Sequence, residues 1–569
     1  MTIIPNFLRT IIESHQPILL AWFSDHVYQR LIPQNHPLRR LNELVDFARL
    51  EIACASFHKH NGLGCPITHP VPRLVRALLI RYLYDYSLRG TQAAIREQIP
   101  VKWFVGCLLH STGISYSSLS RFETYVCEHQ ARLFFDTVLS QILTAFPQQR
   151  LNPQIADTFA MLANAQLETL IGRLRHAAAL LLLSLHRDEP GQFHELTGQL
   201  NLPSLVGPNK ERAEFLLTAA EKEARLSETV GQVVTLLNLV RQLQPRSQEV
   251  GRYQKMLQAV LDKEIDLTRD EAGQVIGVRQ FSEKERGTYR PTSATDPEAT
   301  IRNHGKSQDN GYNVHVAATT DFICEIEATT GSQPDATGII PLLEAQKEYH
   351  DLRPGRLIYD KAAGHGATIA AVAQATEGET QLVVKPIQSG KKKSGDRFGA
   401  LDCRLTEQVD VTTGEIQSAL VCPGEQITVT RYRAGSKTGW CYRTPADKCA
   451  GCLLVAPCRG DKVRPDSYRQ WYVSDYQAPV LEALAYARTE PFKQDMKLRS
   501  QVERIIAGLV LHCGARHARF RGLVKVNFQV RMCATAYNLK RWLNLSDPDY
   551  KTRPRRTAAQ AVLSLATAA

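Results

Sequence analysis

The chain has 569 residues, enough for three to five domains at ~100 to 200 residues each, so it is no peptide-scale binder. Apolar residues make up 43% and charged residues 22%, close to globular averages, which excludes a wholly disordered, fibrous or membrane-embedded chain. The formal charge is +12, and between Lys497 and Arg556 fourteen Lys and Arg stand against three acids, a local net of +11 that suits either a polyanion-binding surface or a solvated basic face.

The longest apolar run, Ala177 to Leu183, falls well short of the ~20 residues that cross a bilayer, so no membrane span is expected. The opening MTIIPNFLRTIIESHQP has no basic region followed by an apolar block and cleavage site, so the expectation is a cytoplasmic chain. Thirteen cysteines, an odd number, do not suggest a disulfide framework in a reducing compartment. Six of them (Cys403, Cys422, Cys441, Cys449, Cys452, Cys458) fall within 56 residues.

Residues 37 to 130 read as helical. Leu41, Leu44, Val45, Ala48 and Leu50 recur at helical spacing, and Val75, Leu78, Leu79, Tyr82 and Leu83 do the same. Thr91 to Ile99 predicts a helix ending at Pro100, and after HSTGIS the segment Ser117 to His129 carries Leu119, Phe122 and Val126 on one stripe. That succession fits a DNA-reading helix-turn-helix or an ordinary helical bundle. Residues 151 to 160 read as extended, 165 to 261 as helical, and 282 to 311 as a polar loop. The alternation of Tyr312, Val314 and Val316, a turn at Thr319 to Asp321 and the run FICEIEATT predict a hairpin. A helix over 336 to 349, a strand at 356 to 359, a helix over 367 to 375 and a strand at 381 to 384 follow, the pattern of an α/β domain with a mixed sheet. Residues 388 to 470 break this rhythm, and helices resume from about Val480 to Leu543.

Asp157 follows the run PQIA, and Asp360 follows RLIY and precedes KAAGHGA. Carboxyl ends of strands gather catalytic groups in α/β sheets, although an Asp there is also a common turn or cap residue. Glu503 borders the apolar stripe Leu498, Val502, Ile505, Ile506, Leu509, four residues after Arg499, with which it could form a simple ion pair. Taken together, two Asp at strand ends and a Glu on a later helix are the hard oxygen ligands that a pair of Mg²⁺ ions ~3.5 to 4 Å apart needs for phosphodiester cleavage.

The block MKLRSQVERIIAGLVLHCGARHARFRGLVKVNFQVRMCATAYNLKRW resembles the C-terminal signature of bacterial insertion-sequence DDE transposases. HPLRRLNELVDFA, LVRALLIRYLYDYSLRGTQ and SSLSRF resemble the family's N-terminal domain. DPEATIRNHGKSQDNGYNVHVA and LIYDKAAGHG resemble its central strands, and CPGE, CAGC and APC its cysteine-bearing insert. The match follows the family's order over most of the chain and is weakest over residues 165 to 270. It implies an α/β, ribonuclease-H-like catalytic core with an all-helical N-terminal domain, a helical insertion and a small cysteine-rich insert. By position, Asp157, Asp360 and Glu503 fill the D, D, E triad. Relatives often place a Tyr before the Arg and a Lys after the Glu on the triad helix; here those positions hold Met496 and Val510, and Lys497 and Arg504 stand as substitute phosphate ligands.

The resemblance further implies two Mg²⁺ (or Mn²⁺) ions, terminal inverted repeats and target DNA as partners, no membrane, a homodimer on paired ends, and a nucleoid-associated cytoplasmic protein. The expected DNA contacts are Ser117, Ser118 and Arg121 in the N-terminal helices and Lys497, Arg499, Arg504, Arg516, Arg519, Arg521 and Lys525 in the basic segment. The expected divisions are an N-terminal extension (1–36), a helical DNA-binding domain (37–135), the core (150–165, 300–388 and 475–545), a helical insertion (166–290), the cysteine-rich insert (389–474) and a flexible basic tail (546–569). A non-enzymatic DNA-binding protein and a metal-dependent nuclease without strand transfer stay open as alternatives.

The cysteines read separately. Cys449 and Cys452 form a CxxC, Cys458 follows after five residues, and Cys422 sits in a CP turn 27 positions before Cys449, four thiolates suited either to a structural Zn²⁺ or to staying reduced and unliganded. Lys391, Lys392, Lys393 and Arg397 lie beside them as further phosphate contacts.

Overall fold

A computed structural model describes residues 6–60, 69–208, 210–243, 247–271, 275–287, 291–304, 307–387, 398–409, 416–435, 438–460 and 467–547. Lys391, Lys392, Lys393, Arg397 and the tail from residue 548 lie outside them. Among the described residues no helix is long and apolar enough to cross a membrane.

The N-terminal region is helical, in short pieces set by their caps. The helix expected through Leu50 divides into Pro37–Leu44 and Ala48–Ala53, because Val45 is extended and the Asp46 carboxylate accepts a hydrogen bond from the Ala48 N–H. The helix expected to stop at Pro100 ends at Glu97, and a further helix, Ile99–Val105, begins there. Proline fits a first turn, where its missing N–H would have no intrahelical partner. Gly106, at φ 79°, closes that helix in the left-handed conformation that glycine adopts without a Cβ penalty. The serine-capped helices Leu88–Glu97 and Tyr116–His129 are thus separated by a whole helix and not by a single turn.

Fourteen strands are described. β1 (Gln154–Leu162), β4 (Thr300–His304), β5 (Ser307–Ala318), β6 (Ile323–Thr330), β7 (Arg356–Ile358) and β8 (Gln381–Val383) form the central mixed sheet. β5 pairs antiparallel with β1 on one side and with β6 and β4 on the other, while β1, β7 and β8 run parallel. β4 and the start of β5 fall in the stretch expected to be a loop. Their residues are polar, and ladder hydrogen bonds, not apolar alternation, hold them. The alternation expected in β5 has both halves buried, Asn313 and His315 as well as Tyr312, Val314 and Val316, because helices cover both faces of this central strand.

On one face, Ile155, Phe159, Met161, Val314 and Ile358 share a single hydrophobic cluster with the helices Ser500–His512 and Leu523–Leu545 and with the N-terminal helices. On the other, Ala156, Leu357, Tyr359 and Leu382 pack on the helices Ile339–His350 and Gly366–Ala375. The N-terminal helices are therefore built onto the C-terminal helix: Tyr82 meets Phe528 edge-on with ring centroids 6.2 Å apart. That C-terminal helix also closes the sheet edge. Asn538 accepts from the Ile323 N–H and donates to its carbonyl, both at 2.9 Å, and Asn527 brackets Ala328 in the same way, so β6 exposes fewer unpaired backbone groups.

Between β1 and β4, the helices Leu170–Asp188, Pro190–Thr197, Leu202–Val206, Ala219–Leu243 and Gln248–Glu264 enclose their own core around Leu174, Leu181, Leu237 and Leu257. Arg173 Nη2 meets both Glu264 oxygens at 2.7 Å and ties the first of these helices to the last. The unit ends in a hairpin of β2 (Ile265–Arg269) and β3 (Val275–Gln280), which the helical expectation lacks. After β8, β9 (Arg404–Val409), β10 (Ile416–Val421) and β11 (Ile427–Thr428) make one small sheet, and β12 (Arg431–Arg433), β13 (Gly439–Thr444) and β14 (Arg469–Ser474) make another. Cys403, Leu420, Tyr442, Trp471 and Val473 pack between them.

Candidate active site

β1 and β7 pair in parallel at Gln154–Leu357 and Ile155–Ile358, and just past these pairs Asp157 and Asp360 come close enough for their charges to interact. Asp360 lies just past the carboxyl end of β7, whereas Asp157, expected at a strand end, is the fourth of nine residues of β1, because pairing with β5 carries that strand on to Leu162. Asp157 shares its face with Ile155, by the two-residue alternation of a strand, and Val502, Ile505 and Leu509 of the helix Ser500–His512 pack on that face. The helix is tethered to β1 from its far end as well: the Leu162 N–H donates to the Arg516 carbonyl at 2.9 Å, and the Ala518 N–H donates to the Leu162 carbonyl at 2.8 Å.

Asp157 Oδ1 accepts from the Thr158 N–H at 2.8 Å, and its other oxygen lies 3.7 Å from Arg499 Nη2. Burial pushes the Asp157 carboxyl above the ordinary carboxylate range. Asp360 and Asp335 nearby add to the rise, and the Thr158 N–H and Arg499 oppose it. Asp360 caps the short turn Lys361–Ala363, accepting from the Ala362 N–H at 2.8 Å. Glu503 is exposed, one turn beyond Arg499, and Arg499 pairs with Asp157, not with Glu503. Two crowded carboxylates in a partly dry site form a donor set that a divalent cation would relieve, so the residues fit such an ion. Among the described residues no three His, Cys, Asp or Glu side chains stand together as a metal-holding group.

Beneath this site lies a buried polar cluster that the sequence reading missed. Arg302 Nη2 donates to Thr158 Oγ1 at 2.8 Å and to Asp335 Oδ1 at 3.2 Å, Asn313 donates to the same Asp335 oxygen at 2.8 Å, and the Tyr359 hydroxyl donates to the Asp335 carbonyl at 2.9 Å. Burial pushes the Asp335 carboxyl up, but the Asn313 hydrogen bond and the Arg302 charge outweigh it and hold it below the ordinary range. The available signal was the polar half of β5, Asn313 and His315, which amphipathic patterning assigns to solvent.

Of the expected DNA contacts, Ser117 and Arg121 are exposed on the helix Tyr116–His129, and Ser118 is half-buried with its N–H donated to the Ser115 cap. Lys497, Arg504, Arg516, Arg521 and Lys525 are exposed. Lys525 lies close enough to Cys127, on the helix of Ser117 and Arg121, to act on its thiol, which burial pushes up to about 11. Arg519 departs from the expectation. Its guanidinium lies 4.7 Å above the Tyr82 ring and pairs with Asp85, so it fastens the N-terminal helices to the core and does not face solvent freely.

Cys422, Cys449, Cys452 and Cys458 are all half-buried and lie in one neighbourhood, but they do not gather into a metal-holding group in this arrangement. Burial raises the Cys449 and Cys458 thiols, and Cys422 and Cys452 add to the rise at Cys449 while the Arg459 charge opposes it. Cys458 is raised further by Cys422, Cys449 and Cys452, against the Arg469 charge. A Cβ on Gly424 would meet the sulfurs of Cys452 and Cys422 at 2.8 and 3.8 Å.

Residues 26–124 match a family model described as a transposase domain (DUF772), and residues 421–543 match one described as a transposase DDE domain. The second match contains Glu503 but neither Asp157 nor Asp360. No curated protein and no solved structure matches the chain. The two domain matches support an insertion-sequence DDE transposase.

Proposed function

We propose that this chain, with its two transposase domains, is a DNA transposase that cuts the ends of its element and joins them to target DNA through Asp157, Asp360 and Glu503. The observation that supports this reading is the nearness of the Asp157 and Asp360 carboxylates, on and just past the paired strands β1 and β7, on a sheet packed against the helix that carries Glu503. Sheet residues 150–165 and 300–388, with 475–545, serve as a ribonuclease-H-like core. Asp157, Asp360 and Glu503 would hold the divalent ions, Mg²⁺ or Mn²⁺. Bound there, a pair of such ions supplies activation of the attacking oxygen and stabilisation of the leaving oxygen.

The chain's own residues do the rest. Arg499, beside Asp157, with Lys497 and Arg504, binds the phosphate next to the scissile bond and orients it toward the carboxylates. Ser117, Ser118 and Arg121 read the terminal inverted repeat, and Arg516, Arg521 and Lys525 neutralise backbone phosphates along the duplex. A homodimer holds two ends together in the cytoplasm, on the nucleoid. Cys422, Cys449, Cys452 and Cys458 would hold a structural Zn²⁺, which would supply a cross-link between the two small sheets.

The test is to incubate the purified chain and Mg²⁺ with a labelled end fragment and target DNA, and to map nicks and joined products. Joined products support the proposal. Nicks without joining reduce it to a nuclease, and binding without nicks to a DNA-binding protein.

A further inference from the structure

The sheet β12–β13–β14 carries four Arg, five aromatic residues and no acid in its fifteen strand residues. One face is interior: Tyr442, Trp471 and Val473 are buried in the small core. The register sets Tyr432, Cys441 and Tyr472 in one row of the opposite face and Arg443 and Gln470 in the next. Tyr432 is 37% exposed, and Tyr468, just before β14, is 49% exposed.

These side chains are held in place. The Arg443 guanidinium lies 4.4 Å from the Tyr432 ring centroid and 4.7 Å from that of Tyr468, so it is layered between two rings. Gln470 donates to the Tyr432 hydroxyl at 2.6 Å, and Thr438 and the Tyr472 hydroxyl are 3.0 Å apart. Gly439 lets the Tyr472 ring lie across the sheet, since a Cβ there would meet that ring at 2.9 Å. Among the described residues Arg443 pairs with no carboxylate, so its outward N–H groups keep their capacity for an anion.

Exposed ring faces with interleaved guanidinium suit a ligand that offers flat π-faces and negative charge together. Duplex DNA offers the charge but hides its base faces in the stack, and a cationic ligand is repelled by Arg443. We propose that the outward face of the β12–β13–β14 sheet binds single-stranded DNA, with unpaired bases stacked on Tyr432, Tyr468 and Tyr472 and a backbone phosphate on Arg443. The choice of DNA rests on the transposase reading. The sheet is joined to the segment that follows Asp360: Tyr476, two residues past β14, packs against Gly366, six residues past Asp360, so closely that a Cβ on Gly366 would meet Tyr476 Cβ at 2.8 Å. A strand freed by cutting at the acids is the occupant that this placement serves.

The experiment measures binding of the full chain, without divalent metal, to a fluorescent oligothymidylate of about 15 nucleotides and to a duplex of equal length. With Tyr432→Ala and Tyr468→Ala combined, the single-strand Kd rises ~tenfold or more and the duplex Kd stays within about twofold. Tyr432→Phe with Tyr468→Phe keeps single-strand affinity. Arg443→Gln, which leaves both rings, weakens single-strand binding and lowers its salt slope by about one. The proposal is overturned if the wild-type chain does not bind oligothymidylate, if the phenylalanine pair loses affinity as the alanine pair does, or if Arg443→Gln changes neither. Its failure is separable from failure of the transposase reading, because nicking of the end fragment is scored without oligothymidylate.

Discussion

Arg499 Nη2 stands 3.7 Å from Asp157 Oδ2, where the N-cap of the helix Ser500–His512 meets the middle of β1. The arginine offsets the negative charge of a partly buried carboxylate that already lies near a second one, Asp360. Removal of an acid should therefore disable the chemistry without weakening the grip on DNA.

Asp360→Ala and Glu503→Ala are each expected to abolish nicking of an end fragment while DNA affinity stays level or rises modestly, because negative charge near phosphate is removed. Asp157→Ala behaves alike and also releases Arg499 for phosphate. A variant that nicks at the wild-type rate would remove its residue from the site.

Arg519 and Arg521 separate structure from binding. Arg519→Ala removes the pair with Asp85 and the stacking on Tyr82, and should cost about 1 to 2 kcal/mol of stability with little change in the salt slope of duplex binding. Arg521→Ala, which gives up one exposed hydrogen bond to the Asn164 carbonyl, should move the denaturation midpoint little and lower that slope by about one. Exchange of these two behaviours would return Arg519 to the DNA surface.

Asn538→Ala strips the bracket from Ile323 and leaves a buried N–H and carbonyl unpaired, at about 2 kcal/mol or more. Urea unfolding should show a lower midpoint at unchanged slope. An unaltered midpoint would mean that water replaces the amide at the β6 edge.

Burial pushes the His315 imidazole down from its ordinary 6.5 to about 4. Between those values the unfolded chain binds the proton and the folded chain does not, so stability present above pH 6.5 is lost as pH falls toward 4, on the order of 3 kcal/mol. His315→Gln should flatten this part of a stability-against-pH curve. An identical acid slope in the variant would assign the loss to other groups.

If the four cysteines hold Zn²⁺, protein purified without a His-tag should contain one zinc per chain, and chelation should expose residues 400–470 to protease. Absence of zinc with the segment still protease-resistant would end that reading and leave the acids untouched.

Local chemistry was legible in the sequence: the hairpin turn at Thr319, the strand that runs out just before Asp360, the apolar stripe beside Glu503, and the +11 concentration toward the C-terminus all depend on neighbours within a few residues, whereas β1 runs past Asp157 to Leu162 because β5 pairs with it there. Tertiary structure alone decided that Asp157 and Asp360 come near each other, because strand pairing joins residues two hundred positions apart. It also decided that Arg519 is drawn inward by Tyr82 and Asp85, that polar Asn313 and His315 are buried beside Asp335, and that Arg499 turns to Asp157 and not to Glu503. Periodicity reports which side of an element is apolar. It does not report which element covers that side, and burial of a polar group depends on that cover.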